Sequence, residues 1–186
     1  MKKPFLIGEK IYLRPIERDD APVLSEYIND PDVRDTLQMY LPQTNAQTLA
    51  FVEGMGAGKS TSDIVLGIAL KENDRLIGAT GFHELDWKCR RTSWGISIGA
   101  KDCWNKGCGT ETARLMIKYA FETLGLNRVY LRVYDYNPRA IRAYEKAGYK
   151  REGLLRQDHF NAGKFWDVWL MGILREDYDA MQPTNA

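Results

Sequence analysis

The stretch "WNKGCGTETARLMIKYAF", residues 104–121, decides how the chain folds. Its second half places Ala113, Met116, Ile117, Ala120 and Phe121 on one helical stripe; Leu124 extends the stripe and Gly125 supplies a stop. Its first half carries Gly107 and Gly109 soon after the run "RTSWGISI", residues 91–98, which reads as a strand. Strand, glycine loop and helix N-terminus together offer unpaired backbone N–H groups and a positive dipole end to an anion. The glycines let the backbone approach such a group closely, and Lys106 adds a charge. The dinucleotide fingerprint G-x-G-x-x-G is not met, because the third residue after Gly109 is Thr112. Spacing alone leaves two readings open, an anion site and an ordinary helix start softened by glycine.

Downstream, "RVYLRVY" (128–134) reads as a strand and "NPRAIRAYEKAG" (137–148) as a helix. Strands "YKREGLLRQDHF" (149–160) and "KFWDVWLMGIL" (164–174) follow, joined by the hairpin signal "NAGK". Upstream, the runs 64–70, 76–85 and 91–98 predict an antiparallel meander, and "KIYLRPI" (10–16) a first strand. "ERDDAPVLSEYI" carries a helix start, with Asp19 or Asp20 as cap, Pro22 in the first turn, and Val23, Leu24, Tyr27 and Ile28 on one face. "TNAQTLAFVEG" reads as a second helix capped by Thr44 or Asn45. The fold class is mixed α/β (α+β), a meander followed by β-α-β units, expected to form a single domain over residues 1–186.

A second glycine segment, "GMGAGKS" (54–60), resembles a nucleotide phosphate loop. That loop needs four residues between its glycines, a strand before it and a helix after it. Only Met55, Gly56 and Ala57 separate Gly54 from Gly58, and the order is helix first, strand second. It reads as a connector.

A formal net charge of +1 over 186 residues argues against a dedicated nucleic-acid binder. Cys89, Cys103 and Cys108 make an odd set with no C-x-x-C pair and no adjacent histidine, so reduced thiols and no metal are expected. No apolar run approaches the roughly 18–20 residues of a membrane span, and "MKKPFLIGEK" lacks an apolar signal core. A cytoplasmic chain with no membrane partner is expected.

The segment 96–153, "ISIGAKDCWNKGCGTETARLMIKYAFETLGLNRVYLRVYDYNPRAIRAYEKAGYKREG", resembles the GCN5-related N-acetyltransferases (GNAT). Within them it is similar to the branch of ribosomal-protein N-terminal acetyltransferases and spermidine acetyltransferase. The resemblance runs from about residue 10 to 178, and the family loop [Q/R]-x-x-G-x-[G/A] reads W-N-K-G-C-G here. It implies a mostly antiparallel sheet of about seven strands, flanked by helices and splayed between the fourth (91–98) and the fifth (128–134). Acetyl-CoA would lie in that gap, its pantetheine on the backbone of Ile96, Ser97 and Ile98. The loop Trp104, Asn105, Lys106, Gly107, Cys108, Gly109 and Thr110 would bind the cofactor, its pyrophosphate sitting on Lys106 to Thr110. The resemblance also assigns Asn137 to the cofactor's reactive end and Tyr144 to the thioester sulfur as general acid. By their positions alone, Asn137 reads as a helix cap before Pro138, and Tyr144 as a core residue beside Ile141 and Ala140.

The implied reaction is direct acetyl transfer to a primary amine, either a protein N-terminus or a small amine such as a polyamine. The alternative is a GNAT-like module that binds CoA without turnover. Relatives in this branch read "R-x-A-E-x-G-I" on the strand before the loop, and that glutamate serves as base or holds a base water. Here "RRTSWGI" has Ser93 in its place. Either a water relay removes the proton or another group substitutes, with Glu84, Asp86, Asp158, His83 and His159 the residues to consider. The acceptor site would be shaped by "INDPDVRDTLQMYLPQ", whose Asp30, Asp32 and Asp35 are either an amine attractor or solvated charge, and by "RQDHFNAGKFWD". A homodimer is compatible with the resemblance.

Overall fold

The computed structural model describes residues 1–37, 41–56 and 62–182. One eight-stranded sheet runs through it: β1 (Leu6–Ile7), β2 (Ile11–Arg14), β3 (Ile64–Leu70), β4 (Leu76–Asp86), β5 (Arg91–Ile98), β6 (Arg128–Tyr134), β7 (Lys150–Asn161) and β8 (Lys164–Leu174). Their spatial order is β1-β2-β3-β4-β5-β6-β8-β7. β3, β4 and β5 form the expected antiparallel meander, β2 and β1 extend it antiparallel at one edge, and β5 to β6 is the one parallel step among the described residues. The sheet has one strand more than expected, because two residues of the N-terminal segment pair with β2 before the predicted first strand. The second β-α-β unit is opened by an insertion: β8 lies between β6 and β7, antiparallel to both.

The parting of strands falls where the resemblance put it. β5 and β6 pair only at Arg91↔Arg128, Thr92↔Val129 and Ser93↔Tyr130. Beyond Ser93 the two strands separate. Trp94, the next residue, is buried; its ring stacks on Tyr149 at 5.8 Å and meets Tyr144 edge-on at 5.5 Å. Its Nε1 donates to Thr80 Oγ1 at 2.8 Å, which satisfies the one polar atom the indole carries inside.

Helix α4 (Cys108–Lys118) buries the predicted stripe: Ala113, Met116, Ile117, Ala120 and Phe121 are at most 1% exposed, the last two lying just past its end. The predicted single helix ends in a wider π turn over Tyr119–Thr123, where Leu124 N–H reaches Tyr119 O at 3.1 Å. That turn seats the Tyr119 ring against Phe5 and Phe82, and Phe121 against Tyr178. Helix α5 (Pro138–Ala147) ends at Gly148 with φ 107, a left-handed stop. Two further helices were not anticipated from sequence: α2 (Pro31–Arg34), short and capped by Asp30, and α6 (Arg175–Met181), which follows β8.

On the other face of the meander lie α1 (Ala21–Asn29) and α3 (Asn45–Gly56), closing a small core of Ala21, Leu24, Val52 and Leu76. Thr44 is the cap of α3: its Oγ1 accepts from Gln47 N–H at 3.2 Å and its own N–H donates to Gln47 Oε1 at 2.9 Å. The segment "GMGAGKS" begins inside α3; residues 57–60 of it lie outside the described residues, and β3 follows.

Asp20 stands at the α1 cap position but makes no cap bond. Its carboxylate instead takes two 2.7 Å hydrogen bonds from Arg14 and one of 2.8 Å from Glu17 N–H. Burial pushes the Asp20 carboxyl up, but the bonds from Arg14 and Glu17 outweigh it and hold the group below the usual carboxylate range. A carboxyl lowered in the folded state adds stability above its unfolded value, lost as pH falls through the folded one. Asp20→Asn is therefore expected to cost roughly 3–5 kcal/mol at neutral pH by stranding a buried guanidinium. Denaturant titrations of parent and variant should converge in acid; a deficit independent of pH would contradict the ion-pair assignment.

Candidate active site

The alternation of an antiparallel pair decides which backbone groups of β5 face the gap. Gly99 N–H donates to Ile77 O at 2.9 Å, and a Cβ on Gly78 would lie 2.0 Å from Ser97 O, so Ser97 and Gly99 turn toward β4. Ile96 and Ile98 therefore turn their N–H and C=O toward the opening, and Ile98 O accepts from Trp104 Nε1 at 2.7 Å. Of the three strand residues assigned to pantetheine, two offer backbone groups to the gap and Ser97 offers only its side chain.

After β5 a short 3-10 turn (Lys101–Cys103) leads into the glycine loop, where Asn105 (φ 60) and Gly107 (φ 89) are both left-handed. The two reversals curl the chain into the N-terminus of α4, whose first N–H groups have no partner within the helix. Glu111 tethers this turn. Its Oε1 accepts from Lys10 N–H at 2.9 Å and sits where Gly8 would carry a Cβ, 2.1 Å away. The acid in the first helical turn thus fastens the β1–β2 connection to α4 in addition to complementing the dipole.

A cleft of about 710 Å³ joins these parts. Ile96, Ser97 and Ile98 form one wall; Trp104, Asn105, Gly107, Cys108, Gly109 and Thr110 form the end; Asn137 and Tyr144 come from the opposite side. Lys106 alone of the sequence-derived set does not line it; its carbonyl accepts from Lys10 Nζ at 3.2 Å. Sequence reasoning missed the cations of the rim: Lys10 beside the loop, Arg114 and Lys118 on α4, Arg142 and Lys146 on α5. The i,i+4 spacing of the two helical pairs was the available signal. Arg139 also lines the cleft, its guanidinium 3.7 Å from the Trp104 ring centre.

Tyr144 is half-buried and packed edge-on against Trp94. Burial raises its hydroxyl to about 12, so the phenol stays protonated throughout the neutral range. Asn137 Oδ1 caps α5 by accepting from Ala140 N–H at 3.1 Å, and its side-chain amide remains at the cleft. Burial also raises the Cys108 thiol, which makes it a poor thiolate nucleophile.

None of the five substitute bases lines this cleft. Asp86 is spent on the β4–β5 turn, accepting from Cys89 N–H at 2.8 Å and pairing with Arg91. Asp158 pairs with Arg132, and Glu84 accepts from Tyr130 Oη at 3.1 Å. His159 is buried, stacked 3.8 Å from the Tyr134 ring, with Nε2 against Tyr136 Oη at 3.1 Å; burial lowers it. His83 lies on β4 with Nδ1 3.2 Å from Asp63 Oδ1. In the segment expected to shape the acceptor site, Asp30 and Asp32 share the one ammonium of Lys101, Nζ lying 2.8 Å from each, so one of the two negative charges is offset. Tyr136 Oη donates to Asp35 O at 2.6 Å, tying that segment to the end of β6.

The family profile of the acetyltransferase (GNAT) domain matches residues 10–150, a span that holds the parted strands, the glycine loop and α5. The uncharacterised N-acetyltransferase p20 of Bacillus licheniformis is 30% identical over 175 residues, 93% of this chain and 97% of that protein. A solved acetyltransferase (GNAT family) of Bacillus anthracis is 26% identical with a TM-score of 0.79, covering 92% of this chain and 99% of its own. The spermidine N-acetyltransferase of Vibrio cholerae, solved with CoA and spermine, superposes with a TM-score of 0.83 over 92% of this chain and 99% of its own. At 23% identity that likeness speaks for the fold alone. With its parted β5 and β6 inside the matched span, the chain belongs to the GNAT family and is an N-acetyltransferase.

Proposed function

We propose that the chain transfers the acetyl group of acetyl-CoA directly to a primary amine, a peptide N-terminus or a small amine. The observation that carries this reading is the single cleft joining the open edge of β5, the glycine loop at the start of α4 and the Tyr144 phenol. The residues present fit the cosubstrate. Ile96 and Ile98 offer backbone hydrogen bonds to amides, the turn at Asn105–Gly107 and the α4 N-terminus suit a pyrophosphate, and the rim cations suit further phosphate charge. Acetyl-CoA supplies a thioester-activated acetyl group.

Tyr144 holds a proton where the thiolate departs. Full transfer from a phenol near 12 to a thiolate of ordinary pKa ~8.5 is uphill by about 5 kcal/mol, so Tyr144 serves as a hydrogen-bond donor to the departing sulfur. Lys101 meets Asp30 and Asp32 with one ammonium, so the trio keeps a net negative charge that suits a cationic amine acceptor. A mass-resolved assay with acetyl-CoA and a pooled panel of free-N-terminus peptides, polyamines, aminoglycosides and amino acids tests the reading. Gain of one acetyl group on a panel member is the expected outcome; none on any member would favour a CoA-binding module instead.

Tyr144→Phe should lower kcat by about 100-fold or more while changing the acetyl-CoA Kd no more than about twofold. Equal turnover by the variant would remove Tyr144 from the chemistry. Arg114→Glu should weaken CoA binding about tenfold at low salt, and less as salt screens the rim. Lys106→Glu should have the smaller effect, since Lys106 lies outside the cleft lining. Calorimetric titration of both variants decides this, and the reverse ranking would contradict the phosphate placement.

A further inference from the structure

With serine at position 93, some other group must take the proton that an ammonium acceptor sheds before it can attack. Resting on the reading of the cleft as an acetyl-transfer site, we propose that His83 is the general base, positioned by Asp63. An imidazole on the neighbouring strand thereby stands in for the carboxylate that β5 lacks.

The placement follows from register. His83 pairs directly with Ser93 across β4 and β5, so the two side chains share one face of the sheet. The ring leans along that face over Gly95, where a Cβ would lie 3.6 Å from Nε2 and 3.7 Å from Cδ2. Gly95 belongs to the part of β5 that β6 has already left, since the last pair is Ser93↔Tyr130. Gly95 lies one residue before the cleft wall of Ile96, Ser97 and Ile98, so Nε2, itself outside the cleft lining, stands beside the start of the opening, and the missing side chain of Gly95 keeps the space between them clear. A register shift follows between His83 and Asp86, with Glu84 at φ 55, a bulge that re-aims this end of β4.

Hydrogen bonding assigns the tautomer. A carboxylate only accepts, so the proton of neutral His83 lies on Nδ1 toward Asp63 Oδ1, 3.2 Å away, and Nε2 keeps the lone pair. Nε2 has no hydrogen-bond partner among the described residues. Asp63 before β3 and Ser93 in register on β5 flank the imidazole; the charged groups of the adjoining strand segments are the Asp86–Arg91 pair at the β4–β5 turn and Glu84 with its Tyr130 donor from β6. The Thr92 hydroxyl donates to the His83 carbonyl at 2.9 Å and fixes the backbone. Strand alternation sends Trp94 to the opposite face, where it meets Tyr144. Base and sulfur-side donor thus approach the opening from opposite faces of β5.

The protons balance. The ammonium gives one proton to His83 Nε2; the freed amine forms the C–N bond as the C–S bond breaks. The second nitrogen proton leaves with the thiolate, which departs as thiol while Tyr144 remains a phenol. His83 returns its proton to water, so each turnover releases one proton.

The test uses acetyl-CoA and the best acceptor from the peptide, polyamine, aminoglycoside and amino-acid panel. His83→Gln should lower kcat by about 100-fold or more with the acetyl-CoA KM within about twofold of the parent. Added imidazole should restore His83→Ala at least about tenfold, a recovery that a merely misfolded variant does not give. Asp63→Asn should lower kcat by about tenfold, Asp63→Glu should recover most of it, and the His83→Gln, Asp63→Asn double variant should be no slower than His83→Gln alone. Parent-like kcat in His83→Gln, or no imidazole rescue, overturns the assignment of the base while the transfer reading stands. No acetylation of any acceptor by the parent overturns both.

Discussion

Inside this sheet, β5 has a strand on both sides for only three residues, Arg91 to Ser93. Past that point Ile96 and Ile98 direct backbone N–H and C=O groups into an interior gap, where an unmet polar group costs on the order of 1–3 kcal/mol. Such an arrangement survives only if the walls are braced from elsewhere. Trp94 braces the floor through Thr80, Tyr144 and Tyr149, and Trp104 caps the Ile98 carbonyl from the loop. The glycine loop, the start of α4 and α5 are arranged around that unpaired edge, and the cleft is the space it leaves.

The elements that the sequence displayed well are those with strong periodicity or punctuation. The α4 stripe, the Gly125 stop and the meander turns are local signals, and they appear where they were read. Less visible was anything set by partners distant in sequence. Asp20 looks like a cap beside Pro22, yet a buried Arg14 outbids the helix N-terminus for its carboxylate. β8 inserts between β6 and β7 because a hairpin can pair with β6 through either arm, and no local residue says which. The two-residue β1 and the single π turn are too short to leave a period.

At the site, the family resemblance and the geometry gather nearly the same residues around one cleft, with Lys106 outside its lining. The rim cations were harder to see, since a formal net charge of +1 hides how unevenly charge is spread. Lys10, Arg114, Lys118, Arg142 and Lys146 come from three elements and converge only in the folded chain. The acidic residues near α2 show the opposite case. Their density in sequence left an amine attractor and solvated charge both open; in the fold Lys101, some 70 residues away, pairs with two of them and offsets one charge.

That same Lys101 lies in the short turn three residues before Trp104, while Asp30 caps α2. One ammonium thus joins α2 to the short turn that leads into the glycine loop. Thr36, just past α2, and Trp104 both line the cleft, so this shared cation ties together two parts of its lining that are far apart in sequence.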